Sequence, residues 1–238
     1  MAIREGREDR GPAQEVRIAE LDRADLAAAV EVHRASFAGD PVSLLGHEAT
    51  RRYYLWLLDG PHASVAFSAH LGDRLVGVLV GGSFGSLFPG FLRRNLPFVL
   101  FTLATRPRLL AHPSIGGRIA GRLVPGGTAS GGTEPSARTA FPAAEPPPGR
   151  AWELLAIAVS PEARGHGVGA LLVDEATRRA RATGYDRLEL SVHPDNEGAI
   201  RFYERIGWSK LTSGDAWSGR MWRPASADPG TDEESGAS

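Results

Sequence analysis

Residues able to do chemistry concentrate between Trp152 and Gly169, in WELLAIAVSPEARGHGVG. The apolar run Leu154–Val159 ends at Ser160-Pro161, a glycine cluster Arg164-Gly165-His166-Gly167-Val168-Gly169 follows, and Leu171, Leu172 and Ala176 then recur at helical spacing. The pattern reads strand, loop, helix. Glycines let backbone N–H groups converge at the start of the helix, where unpaired donors and a partial positive charge favour an anion such as a phosphate. Arg164 adds a permanent cation with a planar fork of donors. Three phosphate-binding patterns compete. A P-loop requires Lys-Ser/Thr after the glycines, and none follows here. A Rossmann fingerprint fits from Gly165 with Ala170 in third place, yet the next strand ends in Ser191-Val192-His193 without the acid that fold uses. The pattern Arg/Gln-x-x-Gly-x-Gly/Ala is met by Arg164, Gly167 and Gly169. Glycines that merely tighten a strand-to-helix turn would give the same loop.

A second block lies one helix and one strand further on: Asn196-Glu197-Gly198-Ala199-Ile200-Arg201-Phe202-Tyr203-Glu204-Arg205-Ile206-Gly207-Trp208. The two blocks, in this order, resemble the GNAT superfamily of N-acetyltransferases, whose second signature reads Asn-x-x-Ala-x-x-Phe-Tyr-x-x-x-Gly-Phe; Trp208 stands here for the final Phe. The resemblance covers roughly Val16 to Arg223 and is strongest from Trp152 to Trp208. It implies an α/β (α+β) fold with a mixed, mostly antiparallel sheet splayed at the fourth and fifth strands. It also implies acetyl-CoA as co-substrate and a primary amine as acceptor, a small amine or amino sugar, with a protein N-terminus or lysine as the alternative. The loop Arg164, Gly165, His166, Gly167, Val168, Gly169 and Ala170 would take the pyrophosphate. Backbone groups of Ile157, Ala158 and Val159 would take the pantetheine arm, with Asn196, Ala199 and Phe202 beside it. Tyr203 matches the family's acid, near the sulfur. Glu153 matches, by its offset of six from Val159, a base glutamate of some members. By strict period two, Glu153 shares a face with Leu155, Ile157 and Val159.

The 238 residues suffice for one large domain and a substantial core. Lys plus Arg is 27 and Asp plus Glu 28, so net charge gives no case for nucleic acid or an anionic membrane surface. Cysteine is absent, which excludes disulfides, thiolate metal sites and a cysteine nucleophile. The seven histidines show no metal-ligand spacing, so no metal is expected. The charged start MAIREGREDRGPAQE has no signal-peptide core, and no run reaches the roughly 20 apolar residues of a membrane span, so a cytoplasmic protein is expected.

The elements that must position these residues begin with a strand at Val16. A helix from Asp22 to about Phe37 follows, then a break at Gly39-Asp40-Pro41, then a helix from about His47 to Leu58. Alternating segments at 63–71 and 75–80 flank Gly72-Asp73, a two-residue hairpin turn. After the central block come a strand at 188–192, the Asn196 helix and two strands either side of Ser213-Gly214. Between the third and fourth strands lies an insertion, 84–150. Its first part, Leu87 to Leu123, reads as short helices divided by Pro97, Pro107 and Pro113. Its second part, 125–150, is rich in Gly, Pro, Ser and Thr and is expected to be disordered, as are residues 1–14 and the tail 225–238. The GNAT domain is thus expected over 15–224, as a monomer or homodimer. Two other classes remain open: a non-catalytic acyl-CoA-binding module and a protein-interaction surface.

Overall fold

The computed structural model describes residues 15–84, 87–112, 115, 146–213 and 216–226. The strands are β1 (Val16–Glu20), β2 (Ala63–Leu71), β3 (Arg74–Ser83), β4 (Ala151–Val159), β5 (Arg187–Ser191), β6 (Ser209–Ser213) and β7 (Ala216–Pro224). The helices are α1 (Leu26–Ser36), α2 (Pro41–Leu45), α3 (His47–Asp59), α4 (Leu87–Arg94), α5 (Leu96–Thr105), α6 (Val168–Ala182) and α7 (Glu197–Arg205). One seven-stranded sheet runs β1-β2-β3-β4-β5-β7-β6. Every neighbouring pair is antiparallel except β4 and β5, which run parallel.

Local chemistry sets the element boundaries. The Asp22 carboxylate accepts from the Ala24 N–H at 2.9 Å, which opens a short 3-10 turn, Arg23–Asp25, ahead of α1. Gly39-Asp40-Pro41 does end α1, but it also starts a helix. Asp40 accepts from the Val42 N–H at 2.9 Å and Pro41 fills the first helical position, so α2 forms where a plain break was expected. Leu71 pairs with Arg74 around Gly72-Asp73, with Gly72 at φ 61°, the left-handed first position expected of the turn. In the insertion, Pro97 lies in the first turn of α5 and Pro107 opens a 3-10 helix, Pro107–Ala111.

Helix α6 covers one face of the sheet and α1, α3 and α4 cover the other. Leu172, Val173, Ala176 and Ala180 of α6 pack with Phe67, Leu79, Trp152, Leu154 and Leu188. Val30, Tyr54, Leu57 and Phe91 pack with Val78, Val80 and Ala158 on the opposite face. Two expected boundaries shift. Ala225 is 3 % exposed and its N–H donates to the Asp186 carbonyl at 2.9 Å, so the chain stays docked past β7. The end of the supposed disordered stretch is also held. The Arg150 N–H donates to the Asp186 carboxylate at 2.6 Å, and the Arg150 guanidinium lies 4.5 Å from the centre of the Tyr185 ring. The disorder expected for 1–14, 125–145 and 227–238 falls outside the described residues.

Candidate active site

The sheet opens between β4 and β5. The two pair only from Ala151/Arg187 to Leu154/Leu190. Beyond that β4 follows β3, from Ala156↔Val80 to Val159↔Gly77, and the Ser160 N–H donates to the Val76 carbonyl at 2.8 Å. Antiparallel bonding alternates along a strand, so Ala156 and Ala158 direct their backbone groups at β3 while Ile157 and Val159 direct theirs at the opposite edge. Among the described residues no strand meets them there, because β5 follows β7 instead. The Val192 N–H donates to the Gly219 carbonyl at 2.8 Å. Gly219 sits at φ 86°, and a Cβ on it would lie 2.3 Å from the Val192 oxygen, so only glycine permits this approach. The result is a wedge with one unpaired strand edge, a place where a ligand's amides can complete the ladder. Of the three residues expected to line the arm, Ile157 and Val159 face the wedge. Ala158 gives its backbone to β3 and its side chain to the core beside α1.

The glycine loop sits at the mouth of this wedge. Gly165 and Gly167 adopt φ of 79° and 77°, and a Cβ on either would meet nothing within 4 Å, so they are needed for backbone shape rather than for close contact. Gly167 is the N-cap of α6 and offers no side chain to its amides; the Leu171 N–H to the Gly167 carbonyl, 3.1 Å, is the first bond of the helix. Among the described residues, no protein acceptor takes the amides of Gly165 to Ala170. Residues Arg164 to Gly167 are exposed, Val168 is buried, and Gly169 and Ala170 are half-buried. Arg164 ties the loop to the strand, its Nε donating to the Val159 carbonyl at 3.1 Å, an oxygen that Ser36 Oγ on α1 also approaches at 3.4 Å. His166 folds back on its own loop, Nδ1 donating to the Arg164 carbonyl at 3.0 Å. This cluster of free donors on an exposed loop fits a pyrophosphate.

Helix α7 closes the wedge from the β5 side. Asn196 caps it, its side-chain oxygen accepting from the Ala199 N–H at 3.1 Å. Phe202 reaches α6, where a Cβ on Gly169 would come within 3.0 Å of its ring, so the motif's last glycine serves helix packing. Tyr203 is 6 % exposed, with its ring centre 5.1 Å from that of Phe202 and 5.5 Å from that of Trp208. The end of α7 explains the Gly-Trp pair. The Trp208 N–H donates to the Tyr203 carbonyl and the Gly207 N–H to Glu204, with Gly207 at φ 82°, a Schellman closure whose apolar contact is Tyr203 against Trp208. Burial raises the Tyr203 phenol well above its ordinary value of 10, so it is protonated at neutral pH.

Glu153 requires a correction. β3 pairs Gly81 with Leu154 and Val80 with Ala156, so Leu155 is an extra residue, a bulge that reverses the alternation. Trp152, Leu154, Ile157 and Val159 therefore pack on the α6 face, and Leu155 and Ala158 on the other. Glu153 lies with Leu155 on the α1 and α3 face, not with Ile157 and Val159. The Trp152 ring fills the space above Gly81, whose Cβ would come within 1.9 Å of it. Glu153 is paired across the ladder with Glu189, which accepts from Arg187 Nε and from an Arg220 terminal nitrogen, both at 2.7 Å. These three residues were missed from sequence, although alternation of Arg187 and Glu189 on one strand face was a usable signal. A second missed group lies between α1 and α3. The buried His33 ring meets the Tyr54 hydroxyl, with Nδ1 at 3.2 Å, and among the described residues its Nε2 has no hydrogen-bond partner. His193 is exposed, 3.6 Å from Asp195. Among the described residues, no three His, Asp or Glu side chains gather as a metal site would require.

Comparison with known proteins agrees with this geometry. The Acetyltransferase (GNAT) family profile matches residues 29–208. The PaiA N-acetyltransferase of Thermoplasma acidophilum, solved in complex with coenzyme A, superposes with a TM-score of 0.51 at 15% identity, over 88% of this chain and 99% of that one. The ribosomal-protein-S18-alanine N-acetyltransferase of Escherichia coli superposes with a TM-score of 0.50 at 14% identity, over 90% and 96%. In sequence, an uncharacterized N-acetyltransferase of Methanocaldococcus jannaschii is 37% identical over 65 residues, 27% of this chain and 29% of that protein. A mycothiol acetyltransferase of Jonesia denitrificans is 38% identical over 65 residues, 27% and 21% of the two chains. Each of these matches spans less than a third of the relative's length. With the profile covering most of the chain and the wedge, loop and capped helix in the family's order, the chain belongs to the GNAT family of acetyltransferases.

Proposed function

We propose that the protein moves an acetyl group from acetyl-CoA to a primary amine, by direct attack within a ternary complex. What supports this reading is the conjunction of two sets of free backbone groups: the amides from Gly165 to Ala170, and, on the β4 edge, the groups of Ile157 and the N–H of Val159, whose carbonyl is taken by Arg164. The first set would hold the pyrophosphate and the second the pantetheine arm. When bound, the coenzyme supplies an activated thioester. The chain's own residues then have three tasks. A backbone N–H at the open β4 edge donates to the thioester oxygen as negative charge builds there. Tyr203 serves the departing sulfur. A thiol titrates near 8.5 and a free phenol near 10, and burial raises this phenol further, so Tyr203 acts by donating a hydrogen bond rather than by surrendering its proton outright. Glu153 accepts the proton of the acceptor ammonium, directly or through water, from the face where α1 and α3 stand.

The acceptor comes from that same face, between α1, α3 and the α4–α5 insertion. Its class in this proposal is a small amine or amino sugar. Thiol release from acetyl-CoA against grouped amines tests the reading. Saturable release with one group supports it. Saturation with coenzyme A and no release across the panel would leave a binding module without catalysis.

A further inference from the structure

Helix α5, LPFVLFTLAT, is apolar on almost all sides. At 100° per residue, Phe98, Val99, Thr102 and Leu103 form one arc. Val99 and Thr102 are buried, and Phe98 and Leu103 pack with Val42, Leu45 and Ala49. The other arc carries Leu96, Leu100 and Phe101, which are 48 %, 57 % and 69 % exposed. Leu110, in the 3-10 helix that follows, is 47 % exposed. A helix apolar on all sides belongs inside a core or in contact with lipid. At ten residues α5 is about 15 Å long, half of a hydrocarbon core of about 30 Å, so it can lie in a bilayer surface but not cross it.

Charge chooses the occupant. Residues 87–112 hold Arg93, Arg94, Arg106 and Arg108 and no Asp, Glu or Lys, and all four arginines are exposed. The chain's net charge of -1 hides this local excess. A second copy docking by two-fold symmetry would set these cations against their own kind. Anionic headgroups satisfy both features at once. We propose that the α4–α5 insertion docks on an anionic phospholipid surface, with Leu96, Leu100 and Phe101 in the headgroup–acyl boundary and the arginines on lipid phosphates. The proposal is independent of the transfer reaction.

Co-sedimentation of the full chain with vesicles tests it. Vesicles of equal parts phosphatidylglycerol and phosphatidylcholine should bind the protein about tenfold or more tightly than phosphatidylcholine alone. Binding should weaken with salt as the screening length shrinks from about 10 Å at 0.1 M to about 3 Å at 1 M. Each of Arg93→Gln, Arg94→Gln and Arg108→Gln should weaken it about fivefold. Leu100→Ser with Phe101→Ser should abolish it while leaving the unfolding temperature unchanged, since both side chains are exposed. No binding to the mixed vesicles at low salt overturns the proposal, as does equal binding to neutral ones. A doubling of solution mass that Phe101→Ser abolishes gives the face to a second copy and overturns it too.

Discussion

Tyr203 shows how a single residue's environment narrows its role. Its ring is held between Phe202 and Trp208, and the same burial that packs it keeps its proton on. Tyr203→Phe retains that packing and deletes only the hydroxyl. Turnover should fall about a hundredfold while coenzyme A affinity stays within about twofold, as steady-state kinetics and calorimetry would read. Unchanged turnover would remove the hydroxyl from the reaction. Glu153→Gln should abolish the acidic limb of the pH–rate profile, and an intact limb would release Glu153 from the role of base. The glycine turn ahead of α6 and the Asn196-capped helix that carries Tyr203 were legible in sequence as local structure, because their spacing is local. The face of Glu153 was not, because the bulge at Leu155 is a property of how β4 registers against β3, two strands that meet only after folding. Arg187 and Glu189 left a signal in their alternation on β5, but their link to Arg220 was hidden for the same reason, since Arg220 arrives from β7.

At the scale of elements, the wedge results from two strands with different loyalties. β4 stays with β3, and β5 stays with β7 through the Val192–Gly219 bond. Gly219→Ala should break that bond, costing at least about 1–2 kcal/mol for the left-handed backbone alone. It should weaken coenzyme A binding, although Gly219 lies on β7 and not in the loop ahead of α6. Urea denaturation with a binding titration measures both, and an affinity unaltered in a destabilised variant would detach the wedge's shape from binding. Most elements were readable from periodicity and caps, including the Gly72-Asp73 hairpin. Helix α2 was not, since Asp40-Pro41 can end one helix and begin the next with the same two residues. Ala225 was misplaced because a small residue next to a polar tail carries no sign of the Asp186 carbonyl that receives its N–H.

For the whole molecule, the sheet divides two tasks between its faces and its edge. The α6 face and the open edge present free backbone donors, and the α1–α3 face presents buried polar side chains. Among the latter, His33 is held below the ordinary imidazole value of 6.5, chiefly by burial, with Asp40 pulling the other way. Below that value the unfolded chain takes up a proton that the folded site resists, so stability falls as pH drops, by at most about 1.4 kcal/mol per pH unit. Thermal unfolding from about pH 8 to about pH 5.5 should show this slope, and His33→Asn should flatten it. The succession of strands and helices along the chain followed from the sequence, while the strand order in the sheet and the two-sided division of labour needed the register to be seen. In the proposed reaction, free amides at the start of α6 and along β4 together receive one coenzyme. Calorimetric titration of the protein with coenzyme A and with pantetheine, which lacks the pyrophosphate, separates the two sets. Coenzyme A should bind saturably at one site, and pantetheine at least about a hundredfold more weakly, about 2.7 kcal/mol. Equal affinity for the two, or no heat with coenzyme A, would contradict this reading.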